Sequence, residues 1–188
     1  MAEKLYFAQK AFIEVAGNLL LVRKSADDPH NPGRWELPGG RICVGEDIDE
    51  HLRREVYEEV GLEVDPGTPF HVWQWSWRNA LDGGISQVVA IARRCRAVST
   101  AISLDNQVDG DFIGGARWTP VAEVLGLELI PSQRPAVEAY LAMRAGRVRR
   151  VLGALLPRTQ RWSPPTDSRK STRADSIPGA TVPTSADG

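Results

Sequence analysis

The sequence predicts an α/β fold in which helices cover both faces of a mixed β-sheet. Segments rich in β-forming residues occupy much of the chain before Pro120, and one strongly patterned helix interrupts them. A second helical pattern follows the last of these segments. Because an amphipathic element must bury its apolar side against another layer, this order favours an α/β sandwich.

Two N-terminal segments are predicted to form a β-hairpin. Residues 5–16 are rich in β-forming side chains, and Leu19–Val22 is a short apolar run. Gly17-Asn18 lies between them and supplies the turn. A second hairpin is expected to have its turn at Asp82–Gly84 and its second strand at Ile85–Cys95.

The connecting segments carry further local predictions. Arg41–Val44 is expected to form a short strand, and Pro66-Gly67 is expected to form a turn. Pro120–Leu125 begins with a proline that suits the start of a short helix. Ser132–Arg144 is predicted to be the last helix, with Ser132 as its cap.

The best-defined helix follows Asp47 and ends at Gly61. Asp47 is a favourable N-cap residue, and a glycine commonly ends a helix. Ile48, Leu52 and Val56 repeat every four positions, so they are predicted to form its buried stripe.

Three carboxylates lie beside this stripe instead of on the opposite, solvated side. At about 100° per residue, Glu55 and Glu59 fall on the side of the stripe, with Glu58 next to them. Such close like charges repel and lose hydration, and a hard divalent cation offsets both costs. Oxygen ligands favour Mg²⁺, Mn²⁺ or Ca²⁺ over zinc. The alternative is a surface helix with ion pairs such as Arg54–Glu58, which does not explain the position of the carboxylates.

The stretch Gly40–Leu62 resembles the Nudix hydrolase signature, G-x5-E-x7-R-E-U-x-E-E-x-G-U, where U is a bulky aliphatic residue. Every fixed position is filled, by Gly40, Glu46, Arg54, Glu55, Val56, Glu58, Glu59, Gly61 and Leu62. The run Trp35–Gly40 is similar to the usual entry to this signature. The resemblance covers about residues 5–145 and implies a Nudix-like α/β/α sandwich with a mixed β-sheet.

The resemblance also implies roles for residues of the signature. Four of them are expected to bind the cofactor, Mg²⁺ or Mn²⁺: Gly40, Glu55, Glu58 and Glu59. Glu46 and Arg54 are expected to brace the loop against the helix. His51 departs from the family, which often has a small residue there, and this leaves the local helix packing open.

Catalytic and substrate-binding residues follow from the same resemblance. Catalysis is expected to involve Glu58, Arg54 and Asp111, with Glu58 or Asp111 orienting or deprotonating the attacking water. The substrate is expected to contact Arg23, Trp35, Pro38 and Gly39. For Arg23 the alternative is a solvated strand end.

An acidic residue from the loop at 103–115 is also expected near the site. Asp105, Asp109 and Asp111 are the candidates, and Asp111 is chosen for its position. The alternative for each is a role in the turn itself, since aspartate is common in loops.

Trp73, Trp75 and Trp77 alternate with other residues, which predicts a strand that carries all three on one face. Two interpretations stay open. The face packs in the core, or it is a stacking platform for a nucleobase, which contributes about 1–3 kcal/mol per base.

The resemblance implies hydrolysis of a nucleoside diphosphate linked to another group. A nucleoside triphosphate, including one with a damaged base, is the first candidate, and it would give a monophosphate and pyrophosphate. ADP-ribose or a nucleotide sugar is the second. A regulatory module that binds a nucleotide without cleaving it is the alternative from another class, and the complete set of carboxylates favours catalysis.

Composition gives no reason to expect nucleic acid or a membrane as partner. The formal net charge is −1, and no apolar run approaches the length of about 20 residues that spans a bilayer. The N-terminus lacks the order of a signal peptide, and Cys43 and Cys95 are expected to be buried thiols in a reducing compartment. A cytoplasmic enzyme is therefore predicted, and the resemblance implies a small-molecule nucleotide as its partner.

Residues 1–156 are expected to form the Nudix domain. Residues 157–188 are rich in Ser, Thr, Pro and Arg, which predicts a disordered tail. A homodimer stays open beside a monomer.

Overall fold

The computed structural model describes residues 3–78, 83–108 and 110–151, with side chains up to Gly146. Three predictions from the sequence lie outside these ranges: the tail at 157–188, Asp82 and Asp109. Within the described ranges, no helix combines the length and the apolarity needed to span a membrane.

In the described part of the chain, six strands form one sheet and two α-helices flank it. In chain order the elements are β1 (Lys4–Val15), β2 (Asn18–Lys24), β3 (Trp35–Glu36), α1 (Ile48–Val60), β4 (Val64–Arg78), β5 (Ile85–Ala97), β6 (Ile113–Pro120) and α2 (Arg134–Val151). The strand order is β3-β2-β1-β5-β4, and β6 also pairs with β2. Since β1 and β5 run parallel while the other pairs are antiparallel, the predicted mixed sheet is confirmed.

Alternate residues of β1 supply the two cores of the sandwich. Ala11 and Ile13 belong to the core under α1, whereas Ala8 and Phe12 belong to the core under α2. The helices contribute Leu52, Val56 and Val60 on one side, and Ala136, Val137 and Tyr140 on the other. Because successive side chains of a strand point to opposite faces, the helices lie on opposite faces of the sheet, as predicted.

The first hairpin closes through a two-residue turn. Val15 pairs with Asn18, and the residues between them, Ala16 and Gly17, have φ angles of 47° and 80°. Two positive φ angles are typical of the tight turns that suit twisted strands. The predicted hairpin is therefore confirmed, with its turn one residue earlier than expected.

Beyond this turn, β1 and β2 pair over only two residues before they diverge. The edge of β1 that no longer pairs with β2 instead forms hydrogen bonds with the segment that carries the adjacent glycines. The Ala11 N–H donates to the Pro38 carbonyl at 2.8 Å, and the Gln9 N–H donates to the Gly40 carbonyl at 3.0 Å. Main-chain hydrogen bonds therefore fix the glycines beside the middle of β1.

Two predicted connections differ from the structure. Within Arg41–Val44, Arg41 forms an isolated bridge with Ala8, and no strand follows because the chain turns towards α1. Pro66-Gly67 lies inside β4, at an irregularity in its pairing with β5. Proline cannot donate to a neighbouring strand, and an edge strand such as β4 tolerates it.

Three further predictions from local patterns are wrong. α2 begins at Arg134, because Ser132 lies in a preceding 3₁₀ turn instead of capping the helix. Ile48 is 56% exposed, since the core under α1 begins one turn later. Cys43 is exposed on the irregular loop, whereas Cys95 is buried as expected.

Candidate active site

Two adjacent glycines lie directly against α1. Gly39 has a φ angle of 115°, which favours glycine, and its N–H donates to Oε2 of Glu59 at 2.8 Å. A Cβ atom on Gly40 would lie 2.3 Å from Oε2 of Glu55, closer than any side chain tolerates. Two carboxylates of the helix therefore meet the backbone of this turn with no side chain between them.

Arg54 joins the loop before α1 to the carboxylates of the helix. Its guanidinium donates to both oxygens of Glu46, at 2.8 and 3.2 Å, so the predicted brace is present. The same group lies 2.9 Å from Oε2 of Glu58 and 3.0 Å from Oε1 of Glu55. The hydrogen bonds from Arg54 lower the pKa of Glu46 to about 2. The ion pair of the alternative interpretation, Arg54–Glu58, therefore coexists with the brace.

Glu59 is the most deeply buried of the three carboxylates. Burial raises the pKa of Glu59 to about 8, although Lys10 acts in the opposite direction. Burial also raises the pKa of Glu55, but His51, Arg54 and Lys10 together hold it below its ordinary value. A further positive charge beside Glu59 would offset the cost of its buried charge.

A chain of buried charges outside the signature lies behind the glycine turn. Nζ of Lys10 is 2.6 Å from Oε2 of Glu36, and it also donates to the Gly39 carbonyl. Nζ of Lys24 is 3.1 Å from Oε1 of Glu36 and donates to the Asp111 carbonyl at 2.7 Å. Sequence analysis missed Lys10, although a lysine inside an apolar strand indicates a buried partner.

The donor set of this region fits a hard divalent cation. All four expected ligands offer oxygen: the Gly40 carbonyl, Glu55, Glu58 and Glu59. The Gly40 carbonyl accepts one hydrogen bond, from Gln9, which leaves a second lone pair. Within residues 3–78, 83–108 and 110–151, no three His, Cys, Asp or Glu side chains are grouped so that they could hold a metal ion together. The predicted convergence of Glu55, Glu58 and Glu59 on one cation site is therefore only partial. Glu55 and Glu58 form ion pairs with Arg54 in this arrangement.

Most of the chain matches a known protein family. The family model of the NUDIX domain matches residues 10–140, well over half of the chain. The chain belongs to the Nudix family.

Relatives of this Nudix chain carry the names of nucleotide hydrolases. It is 39% identical over 67 residues to nucleoside triphosphatase NudI of Klebsiella pneumoniae, a match that covers 36% of this chain and 45% of the relative. It is 29% identical over 146 residues to CTP pyrophosphohydrolase of Escherichia coli, covering 73% of this chain and 92% of the relative. Across several curated relatives, the chain spans only 36–45% of their length.

A solved structure supports the same fold. The MutT protein of Methanosarcina mazei has a TM-score of 0.62 and 23% identity, with 78% of this chain and 98% of that chain covered. At this identity, the likeness shows the Nudix fold alone.

Two of the predicted substrate residues form a separate group. The guanidinium carbons of Arg23 and Arg117 lie 5.8 and 4.3 Å from the ring centre of Trp35. Nε of Arg23 donates to the Gly33 carbonyl at 2.9 Å, and the side chain lines a cavity of about 390 Å³. In the described part of the chain, no hydrogen bond or ion pair joins Arg23 or Trp35 to the carboxylates of α1.

The three tryptophans of β4 differ in burial along the strand. Trp73 is 8% exposed, and its indole N–H donates to the Ser132 carbonyl at 2.7 Å. Trp75 stacks on Trp73 at 6.1 Å and is partly buried. Trp77 is 40% exposed and lies parallel to Tyr6 at 6.1 Å. The core interpretation therefore fits Trp73, while Trp77 keeps an exposed ring; Tyr6 is partly buried, with the guanidinium carbon of Arg41 4.9 Å from its ring centre.

The acidic loop before β6 uses its described carboxylates in local turns. Oδ2 of Asp111 accepts from the Val108 N–H at 3.1 Å, and Oδ2 of Asp105 accepts from Oγ of Ser103 at 2.8 Å. Asp111 also meets Lys24 through its carbonyl, which links the loop to the buried chain of charges. The turn interpretation explains these contacts, and a catalytic role for Asp111 stays a prediction.

Proposed function

We propose that this Nudix chain hydrolyses a phosphoric anhydride bond of nucleoside triphosphates with the help of a divalent cation. The observation that carries the proposal is the direct approach of Glu55 and Glu59 to the Gly39-Gly40 turn. Carboxylates and backbone carbonyls are the ligands that Mg²⁺ and Mn²⁺ prefer. The site therefore has the chemistry needed to hold a cation against phosphate oxygens.

The residues that would hold the ion are the Gly40 carbonyl, Glu55, Glu58 and Glu59. When bound, such an ion offsets negative charge on the phosphate oxygens and makes water a better nucleophile. Gly39 and Gly40 lack side chains, so a phosphate can approach the backbone closely. Arg54 keeps Glu55 and Glu58 in place and limits their mutual repulsion.

Glu58 is the proposed proton acceptor. Its side chain is partly exposed, and Arg54 donates to only one of its oxygens, Oε2. No described residue hydrogen-bonds the other oxygen, which can accept the proton of the water that attacks phosphorus. As the new P–O bond forms, the anhydride P–O bond breaks and pyrophosphate leaves as the anion. Asp111 is the second choice, because its Oδ2 already accepts from Val108.

The exposed ring of Trp77 is the proposed contact for the base, and Tyr6, which lies parallel to it at 6.1 Å, supports that ring. An exposed ring offers a π-face to any nucleobase, with a gain of about 1–3 kcal/mol. The names of the relatives, a nucleoside triphosphatase and a CTP pyrophosphohydrolase, support a triphosphate as the substrate class.

A nucleotide panel tests this function. The full chain with Mg²⁺ is offered nucleoside triphosphates, oxidised triphosphates, ADP-ribose and nucleotide sugars, and product phosphate is measured after inorganic pyrophosphatase or a phosphatase. We expect pyrophosphate from triphosphates and no product after EDTA treatment. If only ADP-ribose or nucleotide sugars are cleaved, they are the substrate class and nucleoside triphosphates are not. Nucleotide binding without any product would show a regulatory module instead of an enzyme.

A further inference from the structure

His51 is buried in α1 and lies beside the proposed metal ligand Glu55. Its side chain is fully shielded from solvent, and Nδ1 is 2.9 Å from Nε2 of Gln9 in β1. Nε2 of His51 lies 3.4 Å from Oε1 of Glu55 and has no hydrogen-bond partner in the described part of the chain. A buried ring nitrogen without a hydrogen-bond partner is costly. The Glu55 carboxylate beside it can offset this cost.

The side-chain amide of Gln9 has only one favourable orientation. Nε2 donates to the Ile48 carbonyl at 2.6 Å, while Oε1 accepts from Arg93 at 3.3 Å. Arg93 is itself held by Asp49, at 2.5 Å. A flipped amide would place its oxygen against the Ile48 carbonyl and its NH₂ group against the guanidinium. Both contacts would be repulsive, so Gln9 presents an N–H to His51.

The orientation of Gln9 fixes the tautomer of His51. Nδ1 must accept the hydrogen bond from Gln9, so the ring proton is on Nε2. That N–H lies near Oε1 of Glu55, with 3.4 Å between Nε2 and the oxygen but no hydrogen bond formed, and the same oxygen lies 3.0 Å from Arg54. Oε2 is the oxygen nearer Gly40, since a Cβ atom there would lie 2.3 Å from Oε2 and 3.0 Å from Oε1. The two oxygens of Glu55 therefore differ in their surroundings: His51 and Arg54 lie beside Oε1, and Oε2 lies closer to the glycine turn.

Resting on the metal site of the proposed function, we propose that His51 is a positioning residue for Glu55. Its Nε2–H, with Nε2 at 3.4 Å, and Arg54 both attract Oε1, which leaves Oε2, the oxygen nearer Gly40, for the divalent cation. Hydrogen bonds that orient metal ligands change metal affinity by about 10- to 100-fold when they are removed. A small residue at position 51 would leave Oε1 with Arg54 but without the imidazole.

Metal affinity tests the proposal without relying on turnover. Free Mn²⁺ is measured by electron paramagnetic resonance during titration of the full, metal-free chain. His51→Leu keeps bulk but removes the N–H, and we expect Mn²⁺ binding to weaken by about 10- to 100-fold. His51→Gln keeps an N–H donor on a flexible side chain and should restore most of the affinity. Val60→Ala, a buried change on the same helix, is the control for lost stability and should bind Mn²⁺ normally.

Four outcomes would contradict the proposal. Normal Mn²⁺ affinity in His51→Leu, or equal weakening in Val60→Ala, would show that position 51 matters only for packing. If His51→Leu does not fold, Gln9→Met gives the same test, because it keeps His51 and removes the amide that fixes its tautomer. Normal affinity in Gln9→Met would then overturn the proposal. A wild-type chain that binds no Mn²⁺ would overturn the metal site itself, and this role with it.

The tautomer can be observed directly. The chain contains three histidines, so a long-range ¹H–¹⁵N spectrum of the imidazoles is simple to assign with the help of His51→Gln. We expect a protonated Nε2 and a bare Nδ1 for His51 in the metal-free protein. A protonated Nδ1 would overturn the positioning role while wild-type Mn²⁺ binding, and the proposed function, could stand.

Discussion

Gly40 and Glu55 approach each other so closely that a Cβ atom on Gly40 would lie 2.3 Å from Oε2 of Glu55. The contact joins the loop to the helix at the atom proposed to bind the cation. Any side chain at position 40 must therefore displace the carboxylate or the turn.

Gly40→Ala tests this contact. We expect kcat to fall by about 100-fold, because a shift of about 1 Å in a catalytic group has an effect of that size. The control is Gly126→Ala, since a Cβ there meets nothing within 4 Å. Steady-state kinetics with a nucleoside triphosphate measures both. Equal activity of the two variants would show that Glu55 can move without consequence.

Glu58→Gln and Glu59→Gln keep shape and remove a charge. Each is expected to lower kcat by about 100-fold or more, because metal and proton-transfer effects each contribute several kcal/mol. The metal-free melting temperature of Glu59→Gln should rise or stay unchanged, because a neutral amide avoids the cost that burial places on ionising this carboxyl. Near-normal kcat in both variants would count against the site.

Lys10→Met breaks a buried ion pair and is expected to destabilise the fold. Removing one partner leaves Glu36 partly uncompensated, with a cost of about 3 kcal/mol in the free energy of unfolding. Lys4→Met, an exposed change in the same strand, is the control and should cost little. Urea unfolding measures each variant. Adding Glu36→Gln to Lys10→Met should recover part of the loss, and purely additive losses would exclude coupling.

The burial difference along β4 predicts different results for two tryptophans. Trp73→Leu should lower stability by about 2 kcal/mol with KM little changed, because its ring packs in the core. Trp77→Leu should raise KM by about 5- to 150-fold with stability preserved, because its exposed ring is the proposed contact for the base. Thermal unfolding and kinetics on the same samples separate the two. A stable Trp77→Leu with unchanged KM would remove the stacking role.

The two cysteines should react at very different rates. Cys43 is exposed, while burial raises the pKa of Cys95 to about 11. A thiol reagent at pH 8 should therefore modify one thiol per native chain and two after unfolding. Cys43→Ser should abolish the fast phase.

The raised pKa of Cys95 also affects stability at high pH. The folded state favours the neutral thiol, so this contribution is complete below the ordinary pKa of about 9 and is lost as pH rises through about 11. Cys95→Ala should therefore make the unfolding free energy less dependent on pH between these values. An unchanged slope in urea unfolding would contradict this cause.

Local signals predicted the helix of the site well. Asp47 accepts from the first turn of α1, and Gly61 ends the helix with a φ angle of 68°, as their residue types indicate. The hairpin of β1 and β2 is equally local. Such features depend on neighbours within a few residues, which the sequence displays directly.

The rest depends on contacts between distant segments. Arg41–Val44 has the composition of a strand, but its contact with β1 ends after the bond from the Ile42 N–H to the Phe7 carbonyl, where the chain turns towards α1. The role of His51 depends on Gln9, which is 42 positions away. The indole N–H of buried Trp73 finds its acceptor 59 positions away, at the Ser132 carbonyl. The periodicity of the sequence does not predict such contacts between distant residues.

Gln9 and Lys10 are neighbours in β1, yet they serve opposite sides of the same strand. Gln9 reaches His51 in α1, and Lys10 reaches Glu36 in β3. A deletion of one residue earlier in β1 would exchange the two sides, placing a cation where the amide is required. Substitutions at the exposed end of this strand should thus be tolerated far better than changes in its length. The register of β1 therefore restricts insertions and deletions in this strand more than it restricts substitutions of its exposed residues.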